Sequence, residues 1–276
     1  MDSGLALRAP RNDIVRRRTA LFHIHIFGHN RLLAAFSLKG SSVHRAIQAI
    51  NLALLILFAL SCDQTRALVG ADLADRAVQR YTVVIASGNG RCSGVLLAQD
   101  IILTAAHCVE GKPKMQIIGS TFPASVLGLV VKTVPHPLYK SGEVNSPDLA
   151  ILKLAKPLPD RFIPAVINPR GLNTGDHVIA AGYGKSSAND RAVGTVLRMV
   201  LLRVSQSSRE WATLVRVGED ASVAGPGDSG GPVFAYRGMH SVVALMVGAG
   251  LDQTRAVQLS AHYGWIRDTM QKLSAP

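Results

Sequence analysis

A chain of 276 residues in which 48% are hydrophobic and 17% charged can build a packed core, which excludes disorder of the whole. Aromatics make up only 5%, so Val, Leu, Ile and Ala must fill that core. The formal charge of +12 excludes little until it is located: residues 1–67 hold nine Lys/Arg against three acids, and the remaining 21 basic residues are scattered among 15 acidic ones without a dense run, so no nucleic-acid partner is expected.

The first 45 residues are Arg-rich, with Arg16-Arg17-Arg18 the densest cluster. An apolar stretch, Ala46 to Leu60, follows. Its strongly apolar part, Ile50 to Leu60, falls short of the roughly 20 residues that a spanning helix needs. With Lys39 and Arg45 on its amino side and small residues at the first and third places of Ala59-Leu60-Ser61 at its end, the stretch reads as the core of a secretory signal. The expected location is therefore secreted or periplasmic, with membrane attachment only through this N-terminal segment. A buried core helix, an uncleaved anchor and lipid attachment at Cys62 are the competing readings. The three cysteines, Cys62, Cys92 and Cys108, cannot all pair within one chain. Cys92 and Cys108 enclose a short loop and could bridge, which would require an oxidising compartment.

After Cys62 the chain breaks into apolar runs of strand length punctuated by Gly, Pro, Asn and Asp: Tyr81–Ala86, Gly94–Ala98, Ile101–Thr104, Leu127–Val134, Leu149–Leu154, Val178–Ala181, Val196–Val204, Pro232–Ala235 and Val242–Val247. Closely spaced short strands predict an all-β sandwich or barrel. Gly88-Asn89-Gly90 reads as a hairpin turn. Pro157, Pro159, Pro164 and Pro169 mark a linker between two strand-rich halves. Trp265, Ile266, Met270 and Leu273 share one helical face, which predicts a terminal helix near 262–273.

Three segments carry chemistry. In Gly225-Pro226-Gly227-Asp228-Ser229-Gly230-Gly231-Pro232, glycines on both sides of a serine permit a tight turn that exposes the hydroxyl and aims backbone N–H groups at one point. A serine needs a base to take its proton. His107 ends an apolar strand in Ile101-Ile102-Leu103-Thr104-Ala105-Ala106-His107-Cys108, where small neighbours leave room for an imidazole and a Cys92–Cys108 bridge would pin its backbone. Asp148, in Ser146-Pro147-Asp148-Leu149-Ala150, could be a turn residue or could lie against His107 and hold its tautomer. Cysteine and histidine spacing fits no zinc motif, and no phosphate-binding glycine loop precedes a helix, so neither metal nor cofactor is expected.

In their His, Asp, Ser order these three segments resemble the signatures of the trypsin/chymotrypsin-like serine proteases, over about residues 68–273. Val134-Pro135-His136-Pro137-Leu138-Tyr139, Ala181-Gly182-Tyr183-Gly184 and Leu68-Val69-Gly70-Ala71 are weaker echoes of the same family. The resemblance implies an all-β fold of two six-stranded antiparallel β-barrels with a C-terminal α-helix. Residues 1–67 would be a basic extension, signal and short pro-segment. Residues 68–276 would form the protease domain, with a first barrel at about 68–165, a second at about 170–260 and the helix at about 262–273. It implies His107, Asp148 and Ser229 as catalytic residues and the N–H groups of Gly227 and Ser229 as an oxyanion hole. Asp228 would pair with an α-ammonium freed as in a zymogen, at Leu68 by alignment or at Ala67 by a trypsin-like cut after Arg66. Met246 stands where the family has a serine against the catalytic acid, and the family's other disulfides are missing. Val223 would lie at the base of the primary pocket, with Ala224, Gly248 and Ala256 around it. An apolar pocket disfavours an unpaired cation, so cleavage is expected after small or medium apolar residues. The expected partner is a peptide or protein substrate. An impaired, protease-like binding protein and an esterase with the same triad are the alternatives.

Overall fold

The computed structural model describes residues 71–112, 114–119, 125–185, 196–217, 224–249 and 253–275. The apolar stretch at 46–60, Cys62, Leu68 and Val223 lie outside these described residues.

The described chain folds as two closed, six-stranded antiparallel β-barrels and a C-terminal helix, as the sequence predicts. The first barrel runs β2 (Thr82–Ser87), β3 (Gly90–Ala98), β4 (Ile101–Thr104), β7 (Ala150–Leu154), β6 (Val126–Pro135) and β5 (Gln116–Ile118) around its circumference. The second runs β10 (Arg198–Ser207), β11 (Trp211–Arg216), β14 (Thr254–Gln258), β13 (Gly238–Ala249), β12 (Pro232–Ala235) and β9 (His177–Gly182), with β9 pairing back onto β10. Two short strands extend this sheet: β1 (Asp72–Leu73) on β10, and β8 (Val166–Ile167) parallel to β13. A one-turn helix α1 (Arg76–Gln79) precedes β2, capped by Asp75, whose carboxylate accepts from the Val78 N–H. The closing helix is α2 (Leu259–Ser274).

The period of two along each strand explains why the apolar runs are continuous rather than alternating. On β2, Val83 and Ile85 fill the first barrel, while Val84 and Ala86 face the second. On β4, Ile102 points into the barrel and Ile101 and Leu103 into the shared interface. Both faces are buried, so both carry apolar side chains. The interface cluster draws Ala181, Tyr183, Phe234, Leu245 and Val257 from the second barrel, and α2 adds Leu259, Ile266 and Leu273 from one face. Truncating one of the fully buried leucines, such as Leu103 or Leu152, would cost about 2–5 kcal/mol. Cys92 and Cys108 form a disulfide across 16 residues of sequence, worth roughly 3 kcal/mol. The hairpin turn at Gly88-Asn89 joins Ser87 and Gly90 as a register pair, with Gly88 at φ 53°.

Candidate active site

The imidazole comes from the end of β4. Ala105 ends the strand, and Ala106–Cys108 turn once as a 3-10 helix that presents His107 to the gap between the barrels. Asp148 precedes β7, the neighbour of β4, so strand pairing alone brings the two together. The His107 Nδ1 lies 2.6 Å from Asp148 Oδ2, and the His107 backbone N–H donates to Asp148 Oδ1 at 2.9 Å. One carboxylate thus fixes both ring and backbone, which selects the tautomer with its proton on Nδ1 and leaves Nε2 as the free base. The ring is 37% exposed, against 15% for the acid, so the base faces solvent and the acid is covered.

The serine comes from the loop that leads into β12. Its backbone is set by groups of the first barrel. Ser93, fully buried on β3, donates its hydroxyl to Gly227 O at 2.8 Å and its backbone N–H to Ser229 O at 2.9 Å, and accepts from the Tyr183 N–H at 2.9 Å. Those two bonds fix the carbonyls of Gly227 and Ser229, while the N–H groups of the same residues belong to the preceding peptides, Pro226–Gly227 and Asp228–Ser229. Neither N–H has an acceptor among the described residues. Two unpaired, adjacent donors on one loop are what an oxyanion requires. Gly227 and Gly230 adopt φ of 101° and 79°, in the region that favours glycine. A Cβ on Gly230 would also overlap Thr104 Oγ1 and Ser93 O.

Asp228 is fully buried and accepts from the N–H groups of Gly184 at 2.8 Å and Gly225 at 2.9 Å. The Gly182-Tyr183-Gly184 turn wraps this carboxylate so closely that a side chain on either glycine would overlap it. Burial pushes the Tyr183 phenol up to about 12.

The two halves meet at Cys108. Its Sγ lies 3.7 Å from His107 Nε2 and 3.8 Å from Ser229 O. No hydrogen bond between Ser229 Oγ and His107 occurs among the described residues, and such bonds are commonly long before substrate binds. Cys92, His107 and Cys108 place their three ligand atoms within 4.8 Å of one another, but the disulfide occupies both sulfurs, so this cluster is not a metal centre in the oxidised chain.

Of the expected pocket residues, Ala224 and Ala256 are buried in the second-barrel cluster, and Gly248 lies beside open space. The Ala224 N–H donates to Thr254 Oγ1, tying the chain before the nucleophile to β14. Met246 packs into that same cluster, and the described donors to Asp148 are those of His107. Sequence reasoning did not find Ser93. The only signal was a small polar residue beside Cys92 in a run that turns apolar at Val95.

Behind the acid, His136 bonds back through its N–H to Leu149 O at 2.8 Å, and its ring meets His262 and Trp265 of α2 at centroid distances of 4.9 and 4.6 Å. Burial, and secondarily His262, pushes His136 down to about 4. Burial likewise lowers His262.

Residues 68–262 match the family model described as Trypsin. The chain is 28% identical to granzyme B of Rattus norvegicus over 205 residues, covering 67% of this chain and 82% of that protein. It is 29% identical to cathepsin G of Homo sapiens over 206 residues, covering 67% and 78%. A scabies mite inactivated protease paralogue has the same fold, with a TM-score of 0.60 at 22% identity over 74% of this chain and 99% of that one.

Proposed function

The chain belongs to the trypsin family of serine proteases, and on that premise we propose that it is a secreted serine endopeptidase working through an acyl-enzyme on Ser229. The observation that carries this reading is the pairing of His107 with Asp148 opposite a serine loop whose Gly227 and Ser229 N–H groups have no acceptor among the described residues. In the proposed reaction, Ser229 Oγ attacks the scissile carbonyl carbon as His107 Nε2 takes its proton. The Gly227 and Ser229 N–H groups hold the resulting oxyanion, and Asp148 stabilises the imidazolium. The imidazolium then protonates the leaving amine. A water then attacks the acyl carbon as it gives one proton to Nε2, and the imidazolium returns that proton to Ser229 Oγ as the C–Oγ bond breaks, releasing the acid.

Ala224, Gly248 and Ala256, together with Val223 as the resemblance implies, would accept a small or medium apolar side chain and reject a cation that finds no partner there. Activation is read from Asp228: a cut before Leu68 would free an α-ammonium for this buried carboxylate. Ala71, three residues after Leu68, packs on the second-barrel cluster.

The test is turnover of peptide libraries by the secreted, processed chain. Cleavage after Ala or Val, with kcat lost by a factor of about 10⁴–10⁶ in Ser229→Ala, is expected. Equal turnover by Ser229→Ala would refute the assignment. Tight peptide binding without any cleavage by the parent chain would favour a binding protein on this scaffold.

A further inference from the structure

Strand β14 presents different chemistry on its two faces. Thr254 and Ala256 face inward and are fully buried, while Arg255 between them faces outward. Its guanidinium lies 4.0 Å over the Trp211 ring, and its Nη2 donates to Asn145 Oδ1 at 3.1 Å. Asn145 is three residues before Asp148. A cation rooted in the second barrel therefore reaches the first-barrel segment that carries the candidate catalytic acid.

This cation is short of acceptors. A guanidinium has five N–H donors, and among the described residues its one hydrogen-bond acceptor is a neutral amide. Of the acids near Asn145 in the chain, Asp148 is engaged by His107 and Glu143 by Lys140. The Trp211 Nε1–H is also buried and has no acceptor among the described residues. Stacking on the indole fixes the guanidinium plane, leaving its edge to meet a carboxylate in two parallel hydrogen bonds. There is room for one. The register partner of Arg255 on β13 is Gly248, paired residues share a face of the sheet, and a Cβ on Gly248 would meet nothing within 4 Å.

We propose that Arg255 forms an anion-binding subsite of the cleft and selects peptides carrying an acidic side chain within a few residues of the scissile bond. This inference rests on the endopeptidase reading for the meaning of the cleft, and its test does not require turnover. The full Ser229→Ala chain is titrated with fluorescent Ala-rich peptides that carry one Glu at each position in turn, and with their Gln counterparts. At one or two adjacent positions Glu should bind about tenfold tighter than Gln, and the advantage should shrink with added salt. The Glu/Gln ratio should fall to about one in Arg255→Gln. It should fall similarly in Asn145→Asp, which supplies a competing carboxylate and keeps the Arg255–Trp211 stack. A ratio near one at every position, a ratio that survives Arg255→Gln, or no binding of either peptide overturns the subsite. Failure of the endopeptidase reading shows separately, as a parent chain that binds these peptides and cuts none.

Discussion

The two halves of the candidate site are held by different means. In the first barrel, His107 and Asp148 are joined directly, side chain to side chain and side chain to backbone, because β4 and β7 are neighbours. In the second, the serine loop is shaped through its backbone, by Ser93 across the barrel interface and by glycines at positive φ, and its Gly227 and Ser229 N–H groups have no acceptor among the described residues. The acid–base half is thus complete in itself, whereas the nucleophile half depends on a residue of the other barrel and on space that only glycine leaves. Damage to the first should remove chemistry without unfolding the chain. Damage to the second should cost stability and chemistry together.

The sharpest contrast comes from the acid–base half. His107→Ala should lower kcat by about 10⁴–10⁶ with an unchanged denaturant midpoint. Asp148→Asn should cost about 10⁴, because an amide favours the wrong tautomer. Peptide hydrolysis beside urea unfolding measures both. In the nucleophile half, Gly230→Ala should destabilise by about 3 kcal/mol or more, since it adds steric overlap with Thr104 and Ser93 to an unfavourable φ. Gly88→Ala, also at positive φ but with nothing within 4 Å, should cost only about 1–2 kcal/mol. Equal midpoints for the two would break the comparison. Ser93→Ala removes the donor to Gly227 O and the acceptor of the Tyr183 N–H, and should cost about 1–3 kcal/mol. It should also lower kcat about tenfold while leaving KM nearly unchanged, as Gly227 loses its orientation.

The smallest effect concerns the rear of the acid. His136 titrates near 6.5 unfolded and about 4 folded, so the folded state favours its neutral form. Its stabilisation is complete above pH 6.5 and is lost as pH falls towards 4. His262, lowered in the same direction, adds to this slope. Melting temperature should drop across that window, and His136→Phe should flatten the drop. A melting temperature that rises on acidification would contradict the burial of this pair.

β2, β4 and β7 were legible because burial on both faces makes them nearly uniform apolar runs, as in Ile101–Thr104. The barrel strands missed are β5, only Gln116–Ile118, together with β11 and β14, where Thr213 and Arg255 interrupt the apolar residues, and the two-residue strands β1 and β8 were missed as well. Their state is set by neighbours across the barrel rather than by their own composition. In the same way His107, Asp148 and Ser229 announce themselves by local setting, whereas Ser93 acts through partners about 90 and 134 residues away. Nothing adjacent to it in sequence records those contacts. Arg255 likewise looks like a solvated charge until Trp211 and Asn145 close on it.

Activation of Ser229 by a base from the opposite barrel is the central proposal. Fluorophosphonate labelling of the processed chain, with the modified peptide mapped by mass spectrometry, reads this directly. One label per chain on Ser229, slowed at least about 10³-fold by His107→Ala, is the expected result. Label on another residue, or a labelling rate indifferent to His107, would contradict it.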